Sequence, residues 1–223
     1  MGNTRNLNIT GIGKSYGGDV HTAKIEGIGK FEGDVRCYEF LINGRGEVQG
    51  SLNASLASIN GIASIHGSLQ ANRFTLEGKL TVDGSITSEK LRMNGMATVK
   101  GNCEAESFKG NGRMVMEMLN AGEIHLTLQG SSQIQEIVGG DIQVRKQRGS
   151  ILGKWLQSVP GPFGNKLNAG VIEGDNVYLE YTTADIVRGG TVKIGPGCAI
   201  GSVEYKQSFE AHDSSKVIRH VKR

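Results

Sequence analysis

The sequence predicts an all-β chain folded as a parallel β-helix, a solenoid with 17-residue coils. Three observations predict it: an excess of glycine, two glycine rows held in one register, and short runs in which apolar and polar residues alternate. The 223 residues include 34 glycines, 3 prolines and only 5% aromatics. Helix interiors disfavour glycine by ~1 kcal/mol each, so such a composition asks for repeated turns. Gly27, Gly44, Gly61, Gly78, Gly95 and Gly112 recur at a constant step of seventeen, and Gly33, Gly50, Gly67, Gly84 and Gly101 keep the same step. A fixed period of this size is the mark of a stacked repeat.

The remaining columns say how each coil is built. Counting from the first glycine, the fifth position holds Phe31, Val48, Ile65, Val82, Val99 and Met116, and the ninth holds Val35, Leu52, Leu69, Ile86 and Cys103. The eleventh is small (Cys37, Ala54, Ala71, Ser88, Ala105), and the fourteenth is Phe40, Ala57, Phe74, Leu91 and Phe108. Polar residues fill the places between, which is the period-two pattern of strands. A coil of this length suits three short strands and three turns, with Asn43-Gly44, Asn60-Gly61, Asn94-Gly95 and Asn111-Gly112 as corners that accept positive φ. Like then stacks on like at the ~4.8 Å strand spacing.

Three segments follow. Residues 7–145 are expected to form the main β-helical array, and 169–221 a set of C-terminal coils with a weaker echo of the period (Val177, Ile194, Ala211; Ile186, Val203, His220; Ile200, Val217). Between them lies an insertion at 146–168. Its Ile151, Leu152, Trp155 and Leu156 fall on one face of a possible short amphipathic helix, flanked by Arg145, Lys146, Arg148 and Lys154. That face could cover a solenoid edge or meet a partner or a membrane surface.

Composition also excludes functions. A net charge of +3, from 25 basic and 22 acidic residues, lacks the concentrated basic stripe of a nucleic-acid binder. No apolar run approaches the ~20 residues of a membrane span. The opening MGNTRNLNIT has no secretory pattern, and three widely spaced cysteines fit reduced thiols, so a cytoplasmic protein is expected. The five histidines show no metal-ligand spacing, and the recurrent Asp34, Ser51, Ser68 and Ser85 read as corner residues rather than nucleophiles. No catalytic residue, metal or cofactor is predicted. The rival is a left-handed β-helix acyltransferase, suggested by IGPGCAIG at 194–201. That hexapeptide signature occurs once here, and the coil step differs from the one such enzymes use.

The repeats at 27–111, of the form G-x-[GA]-x-V-x-G-[DS]-[VLI], resemble the bactofilins, bacterial polymer-forming cytoskeletal proteins, and NVYLEYTTADIVRGGTVKIGPGCAIGSVEY looks like longer members of that group. The resemblance implies a right-handed helix that assembles end to end, without nucleotide, into homopolymers that localise envelope, cell-shape or motility machinery; contact with the inner face of the cell membrane would rest on the Trp155 segment. A physical argument agrees. Outermost coils carry unpaired backbone groups, a template for further pairing unless capped, and no capping helix is expected ahead of residue 7. The candidate polymer interface is Ile9, Ile12 and Val20 at one edge, and Phe209, Val217, Ile218 and Val221 at the other.

Overall fold

The computed structural model describes residues 5–147 and 164–223. The sequence-predicted segment with Ile151, Leu152, Trp155 and Leu156 lies outside the described residues. Every regular element among the described residues is a strand: β1 (Asn6–Val48), β2 (Leu52–Ile65), β3 (Leu69–Val82), β4 (Ile86–Val99), β5 (Cys103–Leu128), β6 (Ser132–Lys146), β7 (Leu167–Leu179), β8 (Thr182–Ile194), β9 (Ala199–Ala211) and β10 (Lys216–Lys222). All run parallel to the strands they pair with, and the protein is a parallel β-helix. Two compact units divide the chain: residues up to Lys109 with Val115–Gly122, and Gly110–Met114 with Glu123–Arg223.

In the first unit the register is the predicted one. Val35 faces Leu52, which faces Leu69, which faces Ile86. Like residues therefore stack into columns, and the inward columns exclude water. Phe31, Phe40, Phe74 and Phe108 are wholly buried, with Ile42, Ile59 and Leu76 beside them. Cys103 takes an aliphatic place in its column and is also wholly buried.

The corners differ from the sequence expectation. The coils of β2, β3 and β4 each hold one strand of 14 residues, not three short ones, and this stretch leaves strand geometry only at 49–51, 66–68, 83–85 and 100–102. At the Asn-Gly corner the glycine has φ between 121° and 138° from Gly44 to Gly112. This turns the chain while its N–H and C=O stay aimed along the stacking direction, so the ladder is never broken. A Cβ at Gly61, Gly78 or Gly95 would collide with the carbonyl oxygen of the glycine one coil earlier. Both dihedral and space demand glycine here.

The second unit keeps the parallel stacking but not the step. Leu167 faces Thr182, a step of fifteen; Thr183 faces Ala199, a step of sixteen; Ala199 faces Lys216, a step of seventeen. The expected echo is thus correct for Ile194 with Ala211, Ile200 with Val217 and Val203 with His220, whereas Val177 faces Val192 and Ile186 faces Ser202. The shorter coils lose surface turn residues and keep the buried ones, including Ile172, Leu179, Val187 and Val203. β9 regains a residue at a bulge: Gly189 faces Tyr205, but Thr191 faces Ser208. Arg145 lies over the Tyr178 ring and Lys146 over Tyr181, at 4.6 and 4.2 Å, which employs two of the basic residues that flank the insertion.

Gly78→Ala is expected to destabilise the protein by about 1–3 kcal/mol, the usual cost of a non-glycine residue in this backbone region. Lys79→Ala, exposed and one residue away, should stay within about 0.5 kcal/mol of the parent. Urea midpoints of the two variants measure the contrast.

Candidate assembly edges and faces

Each coil corner after the second glycine carries a side chain that ties two coils together. The Ser51 N–H donates to Asp34 Oδ1 (2.7 Å), Ser68 N–H to Ser51 Oγ, Ser85 N–H to Ser68 Oγ and Asn102 N–H to Ser85 Oγ, the last three at 3.2 Å. These are the places where strand pairing lapses, so the side-chain oxygens satisfy backbone donors that the ladder leaves free. The row beside them explains the second glycine series: a Cβ at Gly67, Gly84 or Gly101 would strike the serine oxygen of the preceding coil. The serines are thus structural corner residues. Asn60 Nδ2 donates to Asn43 Oδ1 at 2.9 Å, a further coil-to-coil link.

A second ladder runs over the outward positions four and six. Lys30 pairs with Glu47 at 3.5 Å; His66 touches Glu47 through Nε2 (3.1 Å) and Asp83 through Nδ1 (2.8 Å); Lys100 closes on Asp83 at 2.8 Å. His66 is a surface residue, as its column predicts. The carboxylates sit on opposite sides of the ring, so they do not converge on one point as metal ligands must. Lys100 first, then His66, hold the Asp83 carboxyl below its ordinary range.

Among the described residues, no group of three His, Cys, Asp or Glu is placed to hold a metal ion. Burial pushes the Cys37 thiol up to about 11 and the Cys103 thiol up to about 12, and raises Cys198 as well. At neutral pH these are protonated, poorly nucleophilic thiols. IGPGCAIG forms the turn between β8 and β9, where Cys198 N–H donates to the Ser215 hydroxyl at 3.0 Å.

The predicted edge residues divide by exposure. On the first coil of β1, Ile9 is buried, Val20 half-buried and Ile12 84% exposed. On the β9–β10 side, Phe209 and Val217 are half-buried, Ile218 is 75% exposed and Val221 is exposed. β10 pairs with β9, and among the described residues no strand pairs with its far side. Two features escaped the sequence reading. Tyr16 stands exposed on the same coil as Ile12, and Phe209 packs against His220 (4.9 Å between ring centres) and Tyr205 (5.5 Å). Tyr16 sits in an outward column otherwise polar, which was the available signal. The aromatic cluster depends on the β9 bulge, which no periodicity could place.

Stacked coils, ladders of side-chain ties and open strand edges define a repeat solenoid. Residues 8–104, a little under half of the chain, match the family model described as Bactofilin, polymer-forming cytoskeletal, the family that the repeats resemble. The chain is 44% identical over 106 residues to the uncharacterized protein YhbF of Bacillus subtilis (strain 168), covering 47% of this chain and 41% of that protein. It is 37% identical over 101 residues to the uncharacterized protein YhbE of the same organism, covering 45% and 40%. The match thus spans about two fifths of the length of these relatives. No solved structure matches the chain. Nothing in the comparisons supports the acyltransferase.

Two outcomes follow from the ladders and the buried thiols. Because the folded-state pKa of Asp83 is lowered, its stabilising effect is complete above the ordinary Asp range and is lost as pH falls through the folded value. The difference in thermal midpoint between the parent and Asp83→Asn should therefore be largest near pH 7 and fade from about pH 4 downward; a difference independent of pH contradicts the ladder. Cys37, Cys103 and Cys198 should resist a thiol-alkylating reagent in the native protein and react fully in denaturant, read by mass spectrometry.

Proposed function

We propose that the protein is a non-enzymatic bactofilin-type cytoskeletal scaffold that assembles end to end, without nucleotide, through the first coil of β1 and through β10. The observation that carries this reading is the pair of strand edges bearing solvent-exposed bulky apolar residues, Ile12 and Tyr16 on one, Ile218 and Val221 on the other. A parallel strand pairs on both sides, and an edge strand retains a row of unsatisfied N–H and C=O groups that another chain can complete. Apolar residues at such an edge gain further by leaving water. The polymer-forming description of the matched family supports the same reading. The polymer would act in the cytoplasm, and at the inner face of the cell membrane, as a platform that localises envelope, cell-shape or motility proteins.

The test uses the purified full chain, free of nucleotide, in negative-stain microscopy and pelleting. The parent should form filaments unchanged by added ATP or GTP. Ile12→Glu and Ile218→Glu place a charge on each edge at exposed positions that the fold does not need, and burying it unpaired would cost several kcal/mol. Each should lower the pelleted fraction at least about tenfold, with the circular dichroism spectrum unaltered. A discrete particle at high parent concentration, or variants that polymerise like the parent, would contradict the proposal.

A further inference from the structure

In the second unit one coil corner is bare. Gly139 faces Gly174, and Gly174 faces Gly189, so three stacked coils present only backbone there. In the next coil the same row holds Tyr205, which faces Gly189. The row therefore runs level and then rises at an aromatic ring. The result is a groove of about 590 Å³, within the size range of small-ligand sites. It runs along the stack, from Val138 on β6 to Arg223 just past β10.

The walls are polar and their charges cancel. Three acids, Glu173, Asp175 and Glu204, border the groove with three bases, Arg188, Lys206 and Arg223. Along one wall acid and base alternate and are tied together. Arg188 Nε donates to Glu204 at 3.0 Å, Arg188 Nη1 reaches Glu173 at 3.4 Å, and Arg223 Nη2 closes on Glu204 at 3.0 Å. Glu204, gripped from two sides, is only 13% exposed at its side chain. A guanidinium has more donors, and a carboxylate more acceptor positions, than these contacts use, so both kinds remain for a ligand. Across the glycine row stand Asp175, Asn176 and Gln207, the last bonded to Thr191 at 3.4 Å with its amide nitrogen over Gly190.

These features select a ligand class. An anion would meet Glu173, Asp175 and Glu204, and a cation would meet Arg188, Lys206 and Arg223, so the balanced groove suits a neutral ligand. An apolar ligand would strip water from the ion pairs without replacing it. An extended peptide joins a sheet by completing unpaired backbone groups, but β7 and β8 are paired on both sides. A sugar ring meets each requirement. Its hydroxyls both donate and accept, its C–H face can lie on bare backbone or against Tyr205, and its length in an extended chain is close to the ~4.8 Å coil step. Tyr205 is held by Phe209 and His220, at 5.5 and 6.4 Å between ring centres, and neither of these borders the groove. We propose that the groove binds a neutral linear glycan laid along the stack, one ring per coil. This site does not depend on end-to-end assembly.

Equilibrium dialysis of the full chain against end-labelled oligomers tests the site, because it retains single molecules and filaments alike. The probes are cellotetraose and fully N-acetylated chitotetraose, with tetragalacturonate as the charged sugar and tetraglycine as the peptide. At least one neutral sugar should be held with Kd at or below about 1 mM, and more tightly than the charged sugar or the peptide. Asp175→Ala/Asn176→Ala and Gln207→Ala, at exposed positions, should each weaken it about tenfold or more, with the circular dichroism spectrum unaltered. Asn168→Ala, exposed on β7 outside the groove, should bind like the parent. Retention of neither neutral sugar, equal retention by the groove variants, or equal retention of tetragalacturonate or tetraglycine would overturn the proposal. Filament formation with or without the sugar bears on the assembly reading alone.

Discussion

Nothing in this molecule is stable by itself at the level of one coil. A single coil presents its apolar side chains to one side and its backbone N–H and C=O groups along the stacking direction. Both are satisfied by the neighbouring coil and by nothing else. Burial of Phe40, Phe74 and Phe108 along the stack therefore depends on backbone hydrogen bonds made with residues one coil away. The two glycine rows follow from that dependence, because they stand where coils approach too closely for a Cβ. The same dependence makes an outermost coil incomplete, which connects the fold to assembly.

Most of the first unit was legible because one rule is repeated with almost no variation. Phe31, Val48 and Ile65 stand one above another because strand register preserves the repeat step, and the sequence records that step directly. The corner at Gly44 and its equivalents was read correctly as a place of positive φ but wrongly as a break. Composition cannot distinguish a turn that interrupts a ladder from one that bends with it. The second unit was less legible because its coils differ in length from one to the next. The pairing of Val177 with Val192 in place of Ile194 is set by which residues fill the interior, and the surface turns absorb the change.

Of the candidate edges, the sequence identified the apolar residues but not their roles. Ile9 and Ile12 share a strand and a chemistry, yet one is buried and the other projects; their odd separation puts them on opposite sides under period-two alternation, across the Gly11 corner with φ 83°. The Tyr205–Phe209–His220 cluster brings together residues from two coils through a bulge, which is a property of three-dimensional pairing alone.

Amide hydrogen exchange on dissolved and assembled protein tests the central claim most directly. Among the described residues, amides along 6–20 and 216–222 border a coil on one side only, and those directed outward should exchange readily in dissolved molecules. Assembly should protect these two stretches selectively, since inner coils are already fully hydrogen-bonded. Assemblies in which both stretches exchange as freely as before, with new protection elsewhere, would contradict an account in which open coil edges join one molecule to the next.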